Sequence, residues 1–253
     1  MSSKPFSVLI TGTSRGLGLE MVKQFAETQR PLSMLFSCCL DPANSEELQD
    51  LAKKHPDIIK VLRMDVADPD SIKQAAVQVG SLLGQSGLNL IINNATIAVY
   101  TPFLKSSPED STVTKPINII HNFPSPGVLS SSTGHSGMSG MSCRKAAVIN
   151  ISSNLSSNDW IGLDCQFFNE IVLYDKLPMV PYRASKAALN MITSCASLEL
   201  QKEELLCSLL HPGWVRTNMG GEYCIQGMIH LMNSMTDEHH GALVNYKGQT
   251  IPW

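Results

Sequence analysis

The stretch SVLITGTSRGLG at residues 7–18 decides the fold, because an apolar run passes directly into a glycine-rich turn. A helix with apolar residues at positions 18, 21, 22 and 25 follows it. Such a turn brings backbone N–H groups to a helix N-terminus, which suits a pyrophosphate. A plain strand–helix turn is the alternative, and the position between a strand and an amphipathic helix favours the nucleotide site.

Further apolar runs alternate with helical stretches along the chain. Near-continuous apolar runs are typical of strands in a parallel sheet, because both faces of such a sheet are covered. The alternation predicts right-handed crossovers and an α/β fold. We expect a Rossmann-like, doubly wound, mostly parallel seven-stranded sheet with helices on both faces. The predicted strands are Ser7–Thr11, Leu32–Cys39, Ile58–Met64, Leu88–Ile92, Ala146–Ile151, Leu205–Leu210 and Leu243–Tyr246.

The bulk composition narrows the class of protein. A chain of 253 residues fits one α/β domain, which we expect to span 1–253, and 43% hydrophobic residues exclude a disordered chain. A net charge of −3 predicts no nucleic-acid partner. No apolar run reaches the roughly 18 residues of a membrane span. Seven cysteines without a CxxC pair favour free thiols, so a cytoplasmic location is expected.

A tyrosine and a lysine stand one helical turn apart at Tyr182 and Lys186. Residues at i and i+4 share one helix face, so the phenol and the ammonium lie side by side. A neighbouring cation lowers a phenol's pKa, and such a tyrosine exchanges a proton with a carbonyl or alcohol oxygen. An ordinary surface pair is the alternative interpretation of this spacing.

Five motifs in order resemble the short-chain dehydrogenase/reductase family. They are the glycine turn, Asn93-Asn94-Ala95, Asn150-Ile151-Ser152-Ser153, Tyr182-x-x-x-Lys186 and His211-Pro212-Gly213-Trp214-Val215-Arg216-Thr217. Three features resemble its carbonyl-reductase-like branch specifically: Tyr-Arg-x-Ser-Lys-Ala-Ala-Leu-Asn at 182–190, His-Pro-Gly-Trp-Val-x-Thr-x-Met-Gly-Gly at 211–221, and Trp253. The likeness covers nearly the whole chain and is weakest from about 97 to 145.

The resemblance implies a role for each matching residue. Tyr182 would be the proton donor, Lys186 would lower its pKa and bind the nicotinamide ribose, and Ser153 would bind the substrate oxygen. Asn118 fits the family's fourth catalytic residue, although the surrounding prolines also allow an ordinary loop asparagine. The implied cofactor-binding residues are Gly12, Ser14, Arg15, Gly16, Leu17, Gly18, Asp65, Val66, Asn93, Ala95, Pro212, Gly213, Val215 and Thr217.

The resemblance leaves two cofactors open. Arg15 could meet a 2′-phosphate and favours NADP. Leu40 stands where the branch carries an arginine for that phosphate, and Asp41 could reach a ribose hydroxyl and favour NAD. We expect NADP, with NAD as the alternative. Glu238-His239-His240 lacks the HExxH spacing, so no metal is expected.

Several departures from the family pattern bear on activity. Thr96 replaces a glycine, which predicts a shifted or strained cofactor loop. A Ser/Gly-rich segment at about 125–142 predicts a mobile surface loop. An insertion at about 163–175 could act as a substrate lid, a lipophilic partner surface or a damaging splice insertion. The shortened stretch after Gly221 predicts a more open pocket.

The residues together predict an oxidoreductase. It would transfer a hydride between NADP(H) and the carbonyl or alcohol carbon of a small apolar aldehyde or ketone, with Tyr182 as proton donor or acceptor. The alternative is a nucleotide-binding signalling or redox-sensing protein with weak or no catalysis. The expected partner is the small carbonyl substrate, with neither nucleic acid nor membrane, and related folds suggest a homodimer or homotetramer.

Overall fold

The apolar runs of the sequence become one seven-stranded sheet in a computed structural model. The structure describes residues 6–28, 32–84, 86–110, 140–161, 178–213 and 220–253. Asn118, Val215 and Thr217 lie outside these ranges, as do the 163–175 insertion and all but the last residues of the 125–142 segment.

The sheet has the order β3-β2-β1-β4-β5-β6-β7, and each neighbouring pair is parallel. Its chain order reverses between β1 and β4, where the carboxyl ends of two central strands leave a crevice. The prediction of a mostly parallel seven-stranded sheet is therefore confirmed. The strands are β1 (Phe6–Thr11), β2 (Leu32–Cys39), β3 (Ile59–Arg63), β4 (Leu90–Asn93), β5 (Ala147–Ile151), β6 (Leu206–His211) and β7 (Leu243–Asn245).

Helices cover both faces of this sheet. On one face, Met21, Leu48 and Ile225 from three helices share a core with Val8 and Ile10 of β1. The opposite side chains of the strands face α3 and α4, because side chains alternate along a strand. The helices of the described ranges are α1 (Gly16–Glu27), α2 (Glu46–Lys54), α3 (Pro69–Leu83), α4 (Val180–Leu200) and α5 (Gly220–Ser234).

Strand limits differ from the predicted ones by a residue or two. Leu88 was expected in β4 but precedes it, although only 1% of its surface is exposed. Tyr246 was expected in β7, which ends at Asn245. The apolar pattern of a sequence indicates which residues are buried, whereas the limits of a strand are set by its hydrogen bonds to neighbouring strands. The predicted and observed limits therefore differ at the strand ends.

One buried side chain joins three strands at the end of the sheet away from the crevice. Asn89 accepts hydrogen bonds from the N–H of Ser7 at 2.9 Å and from its hydroxyl at 3.2 Å. Its amide donates to the carbonyls of Arg144 at 3.0 Å and Lys145 at 3.1 Å. Asn89 therefore connects β1, the entry to β4 and the chain that enters β5.

The substitution Asn89→Ala removes four hydrogen bonds and leaves buried polar groups without a partner. We expect the free energy of unfolding to fall by about 2–4 kcal/mol. Urea unfolding followed by circular dichroism measures this change. The exposed Ser81→Ala variant, which loses one hydrogen bond to Val77, should stay within about 0.5 kcal/mol of wild type. Equal stability of Asn89→Ala and wild type would contradict the assignment.

Candidate active site

The glycine turn after β1 depends on close backbone approach. Gly12 has φ +71° and Gly16 has φ +60°, which are left-handed conformations that favour glycine. A Cβ atom on Gly18 would lie 2.2 Å from the Gly12 carbonyl oxygen. A Cβ atom on Gly12 would lie 2.8 Å from Ala95 Cα. The turn therefore packs against itself and against the chain that follows β4.

Asn94 and Thr11 hold the turn against the end of β4. The Asn94 amide donates to the carbonyls of Thr11 at 2.8 Å and Gly12 at 3.2 Å. The Thr11 hydroxyl accepts from the N–H groups of Asn94 and Ala95, each at 3.0 Å. The family resemblance implied no role for either side chain. Their position directly after two adjacent buried strands is the signal that could have found them.

A cleft of about 360 Å³ opens at this turn. Most of the residues expected to bind a cofactor line it: Gly12, Ser14, Arg15, Gly16, Leu17, Gly18, Asp65, Val66 and Ala95. Six further residues line it as well: Cys39, Leu40, Met64, Asn94, Thr96 and Ile97. The cleft therefore joins the carboxyl ends of β1, β2, β3 and β4.

Three other residues expected at the cofactor lie away from this cleft. The Asn93 amide donates to Asn150 Oδ1 at 2.8 Å and so connects β4 with β5. Pro212 and Gly213 follow β6 and are buried. Gly213 has φ +85°, and a Cβ atom there would lie 2.7 Å from the Tyr246 ring. Their contact with a cofactor stays a prediction.

The residues that follow β2 bear on the choice between NADP and NAD. Leu40 is 59% exposed and lines the cleft. The Asp41 carboxylate accepts from the Asn44 amide at 2.6 Å and from the Asn44 N–H at 3.3 Å, and these bonds hold its pKa below the ordinary value. Asp41 closes its own turn and does not line the cleft. The structure therefore does not support its alternative role as a ribose ligand.

The expected strain at Thr96 is absent. Among the described residues other than glycine, Glu204 alone has a left-handed φ. Thr96 therefore follows Ala95 in an ordinary backbone conformation, exposed at the cleft. The prediction of a strained loop is wrong. The backbone at Thr96 does not adopt the left-handed conformation that favours glycine, so a threonine fits at this position.

Tyr182, Lys186 and Ser153 come together beside the ends of β4 and β5. Lys186 lies one turn after Tyr182 on α4, with Nζ 5.8 Å from the centre of the tyrosine ring. Nζ donates to the Ile151 carbonyl at 2.7 Å, and Lys186 is 2% exposed. Ser153 precedes a short turn, Asn154–Ser156, and its hydroxyl accepts from the Leu155 N–H at 3.1 Å.

Burial controls the protonation of this group. It raises the pKa of Tyr182 to about 12, against a hydrogen bond with Ser153 that lowers it. Burial also lowers the pKa of Lys186 to about 7. Desolvation disfavours both charged forms, and the amine donates to a backbone carbonyl. The expectation that Lys186 lowers the pKa of Tyr182 stays a prediction.

The comparisons with known proteins show the family of this chain. The sequence matches the model of the short chain dehydrogenase family over residues 7–165, so the chain belongs to that family of NAD(P)-dependent oxidoreductases. An NADPH-bound carbonyl reductase from chicken fatty liver is 34% identical, with a TM-score of 0.85 over 99% of this chain and 100% of that one. The carbonyl reductase Sniffer of Drosophila melanogaster is 28% identical, with a TM-score of 0.84 over the same shares.

One curated relative matches over a shorter stretch. C-signal of Myxococcus xanthus is 40% identical over 79 residues, which are 28% of this chain and 48% of C-signal. These similarities confirm the family and the carbonyl-reductase-like branch that the motifs predicted. In the described ranges, no helix has the length and apolar character to cross a membrane, and no three His, Cys, Asp or Glu side chains are placed to hold a metal ion.

The lowered pKa of the buried Lys186 predicts how the free energy of unfolding depends on pH. Its pKa is about 7 in the folded protein against an ordinary 10.5, so between these values the unfolded chain binds one more proton. Stability should therefore rise with pH in this window, by at most about 1.4 kcal/mol per pH unit. We expect Lys186→Met to lose this rise, as measured by urea unfolding of the cofactor-free protein between about pH 7 and about pH 9.

The matched control is Lys73→Met, because the Lys73 side chain is 74% exposed. This variant should follow the wild-type pH dependence. If wild type and Lys186→Met keep a constant difference across the window, Lys186 is charged in the folded protein and the assignment fails.

Proposed function

We propose that this protein is a carbonyl reductase that uses NADPH to reduce a small apolar aldehyde or ketone, with Tyr182 as proton donor. The observation that carries this proposal is that Tyr182, Lys186 and Ser153 come together at the end of β5, the strand that pairs with β4. The Asn93–Asn150 hydrogen bond of 2.8 Å joins the two halves of the site, because it connects the strand before Asn94 with the strand before Ser153.

The residues of the cleft fit a dinucleotide. The turn at the start of α1 contains Gly12, Gly16 and Gly18. Because these glycines lack side chains, a diphosphate could approach the backbone N–H groups that would hold it. Arg15 and Asp65 are the charged side chains among the described residues of the lining. Arg15 would meet a 2′-phosphate, and Asp41 is held in its own turn by Asn44. These features support NADPH over NADH, as does the NADPH in the chicken relative.

The chemistry that the bound dinucleotide supplies is a hydride for the carbonyl carbon. Tyr182 gives its phenolic proton to the carbonyl oxygen, so the C=O bond becomes C–H and O–H. The resulting phenolate takes a proton from solvent. A pKa of about 12 keeps the phenol protonated at neutral pH, which suits donation in the reductive direction. Ser153 holds the reacting oxygen near the phenol.

Lys186 acts in the same step through its amine. Its amine is fixed by the Ile151 carbonyl, 5.8 Å from the centre of the Tyr182 ring. A protonated amine at that position stabilises the phenolate that the donated proton leaves behind. The lysine thus favours the charged form that burial alone opposes.

The surroundings of Tyr182 support an apolar substrate. Leu155 and Met179 are buried and pack against its ring. The Val180 N–H donates to the Thr101 carbonyl at 3.1 Å, which brings the preceding Tyr100 to the start of α4. Tyr100 is 71% exposed, and Phe103 on the same segment is 70% exposed. Aromatic side chains at this approach favour small apolar or aromatic carbonyl compounds.

The alternative is a dinucleotide-binding protein with weak catalysis. The observation that favours it is the raised pKa of Tyr182 together with the lowered pKa of Lys186, because both shifts favour the neutral forms of the two groups. Binding of NADPH without tyrosine-dependent turnover would support this alternative.

Binding at the glycine turn is tested with Gly18→Ala. The new methyl group would lie 2.2 Å from the Gly12 oxygen, so the turn must open. We expect NADPH affinity to fall by about tenfold to a hundredfold, because the N–H groups no longer converge on the diphosphate. Fluorescence titration with NADPH and with NADH measures both affinity and preference.

Gly80→Ala is the matched control, since a Cβ atom on this glycine of α3 meets nothing within 4 Å. It should bind NADPH as wild type does and gain about 0.5–1 kcal/mol of stability. Equal affinities of wild type and Gly18→Ala would place the dinucleotide elsewhere.

Catalysis is tested with Tyr182→Phe, which removes the proton donor and keeps the ring. NADPH consumption with small aldehydes, ketones and quinones should fall about a hundredfold or more, with NADPH affinity unchanged. Alcohol oxidation should rise with pH, because it requires the phenolate form of Tyr182, whose pKa is about 12. Turnover that survives in Tyr182→Phe would rule out this mechanism.

A further inference from the structure

We propose that Asn190 is a positioning residue that holds Ser153 against Tyr182. This inference rests on the proposed reductase function and gives a role to a residue for which the family resemblance implied none. Asn190 lies on α4 one turn after Lys186 and two turns after Tyr182, so the three share one helix face. It is fully buried, at 0% exposed.

The side chain of Asn190 hydrogen-bonds to two serines, one directly before Ser153 and one at the end of the short turn that follows Ser153. Its Oδ1 accepts from the Ser152 hydroxyl at 2.6 Å. Its Nδ2 donates to the Ser156 hydroxyl at 2.8 Å. Ser152 directly precedes Ser153, and Ser156 ends the Asn154–Ser156 turn. The helix that carries Tyr182 and Lys186 is thus bonded to both ends of this turn.

Ser156 connects the Asn190 side chain to the backbone of Ser153. Its hydroxyl donates to the Ser153 carbonyl oxygen. The Ser156 N–H donates to the same oxygen at 3.1 Å. The chain of contacts from Asn190 through Ser156 ends on the backbone of the residue expected to bind the substrate oxygen.

The direction of these bonds explains why an amide occupies the position. Ser152 donates to Asn190, so the side chain needs an acceptor there. Ser156 uses its proton on the Ser153 carbonyl, so it needs a donor from Asn190. A neutral amide supplies one of each, whereas a carboxylate supplies acceptors alone. Asn190→Asp would draw the Ser156 proton away from Ser153, with little change in side-chain volume.

The position of Ser153 matters for proton transfer. Its hydroxyl bonds with Tyr182 and opposes the effect of burial on the phenol. Among the described residues, the other titratable groups that face this phenol are Lys186 on α4 and Tyr100 on the segment after β4. A displacement of Ser153 therefore changes both the geometry of the oxygen site and the ease with which the phenol ionises.

The experiment compares Asn190→Asp, Ser156→Ala and Asn89→Ala with wild type as full-length proteins. Asn190→Asp and Ser156→Ala should lower kcat for aldehyde reduction about tenfold to a hundredfold and change the KM for NADPH less than about twofold. The pH at which alcohol oxidation is half-maximal should move upward in both. Asn89→Ala loses a buried asparagine at the far end of the sheet, so it should keep wild-type kcat and pH profile.

Hydrogen exchange gives a readout that does not depend on turnover. The N–H groups of Ser156 and Ser157 bond to the carbonyls of Ser153 and Asn154, each at 3.1 Å. These two amides should exchange at least about tenfold faster in Asn190→Asp and Ser156→Ala than in Asn89→Ala. Ser156→Ala keeps Asn190 and decides the matter if Asn190→Asp does not fold.

The outcomes separate this inference from the proposed function. If wild type shows no carbonyl reduction but the exchange result holds, the reductase function is wrong while the contact of Asn190 with the Ser153 turn stands. If wild type reduces carbonyls and the variants keep its kcat and pH profile, Asn190 has no positioning role. Equal loss of kcat in Asn89→Ala would show that lowered stability alone explains the effect.

Discussion

The bonds from the Asn94 amide to the Thr11 and Gly12 carbonyls are the interaction on which the cleft depends. They join the ends of two strands that are neighbours in the sheet but lie 83 positions apart along the chain for Asn94 and Thr11. The glycine turn can approach this closely only because Gly12 and Gly18 lack side chains. The same contact keeps the start of α1 open toward the crevice, where its N–H groups are available to an anion.

Desolvation sets the chemistry of the neighbouring site. The sequence places a phenol and an amine one turn apart, and an exposed helix with that spacing would let the cation favour phenolate. In the folded protein Lys186 is buried and Tyr182 is partly buried, and the pKa of each is shifted toward its neutral form. A neutral phenol suits the proton donation that we propose for carbonyl reduction.

A buried polar network connects this chemistry with the sheet. Asn150 accepts from Asn93 and donates to Thr193 on α4, each at 2.8 Å. Asn190 on the same helix bonds to Ser152 and Ser156. Buried amides and hydroxyls are costly unless they are satisfied, so these pairings restrict how α4 can pack on β4 and β5. The helix that carries Tyr182 and Lys186 is therefore held in one register relative to Ser153.

The amino-acid sequence by itself determined the seven strands, the parallel α/β class and the family, because apolar runs and ordered motifs are local features. It also predicted most of the cleft lining, since Gly12, Arg15 and Asp65 follow strands whose ends meet in such a sheet. Tertiary structure alone decided the roles of Asn94 and Asn190, the turn at Asp41 and the relaxed backbone at Thr96. Each of these depends on which partner a side chain or chain path finds across the fold, and burial then determines the charge that Tyr182 and Lys186 carry.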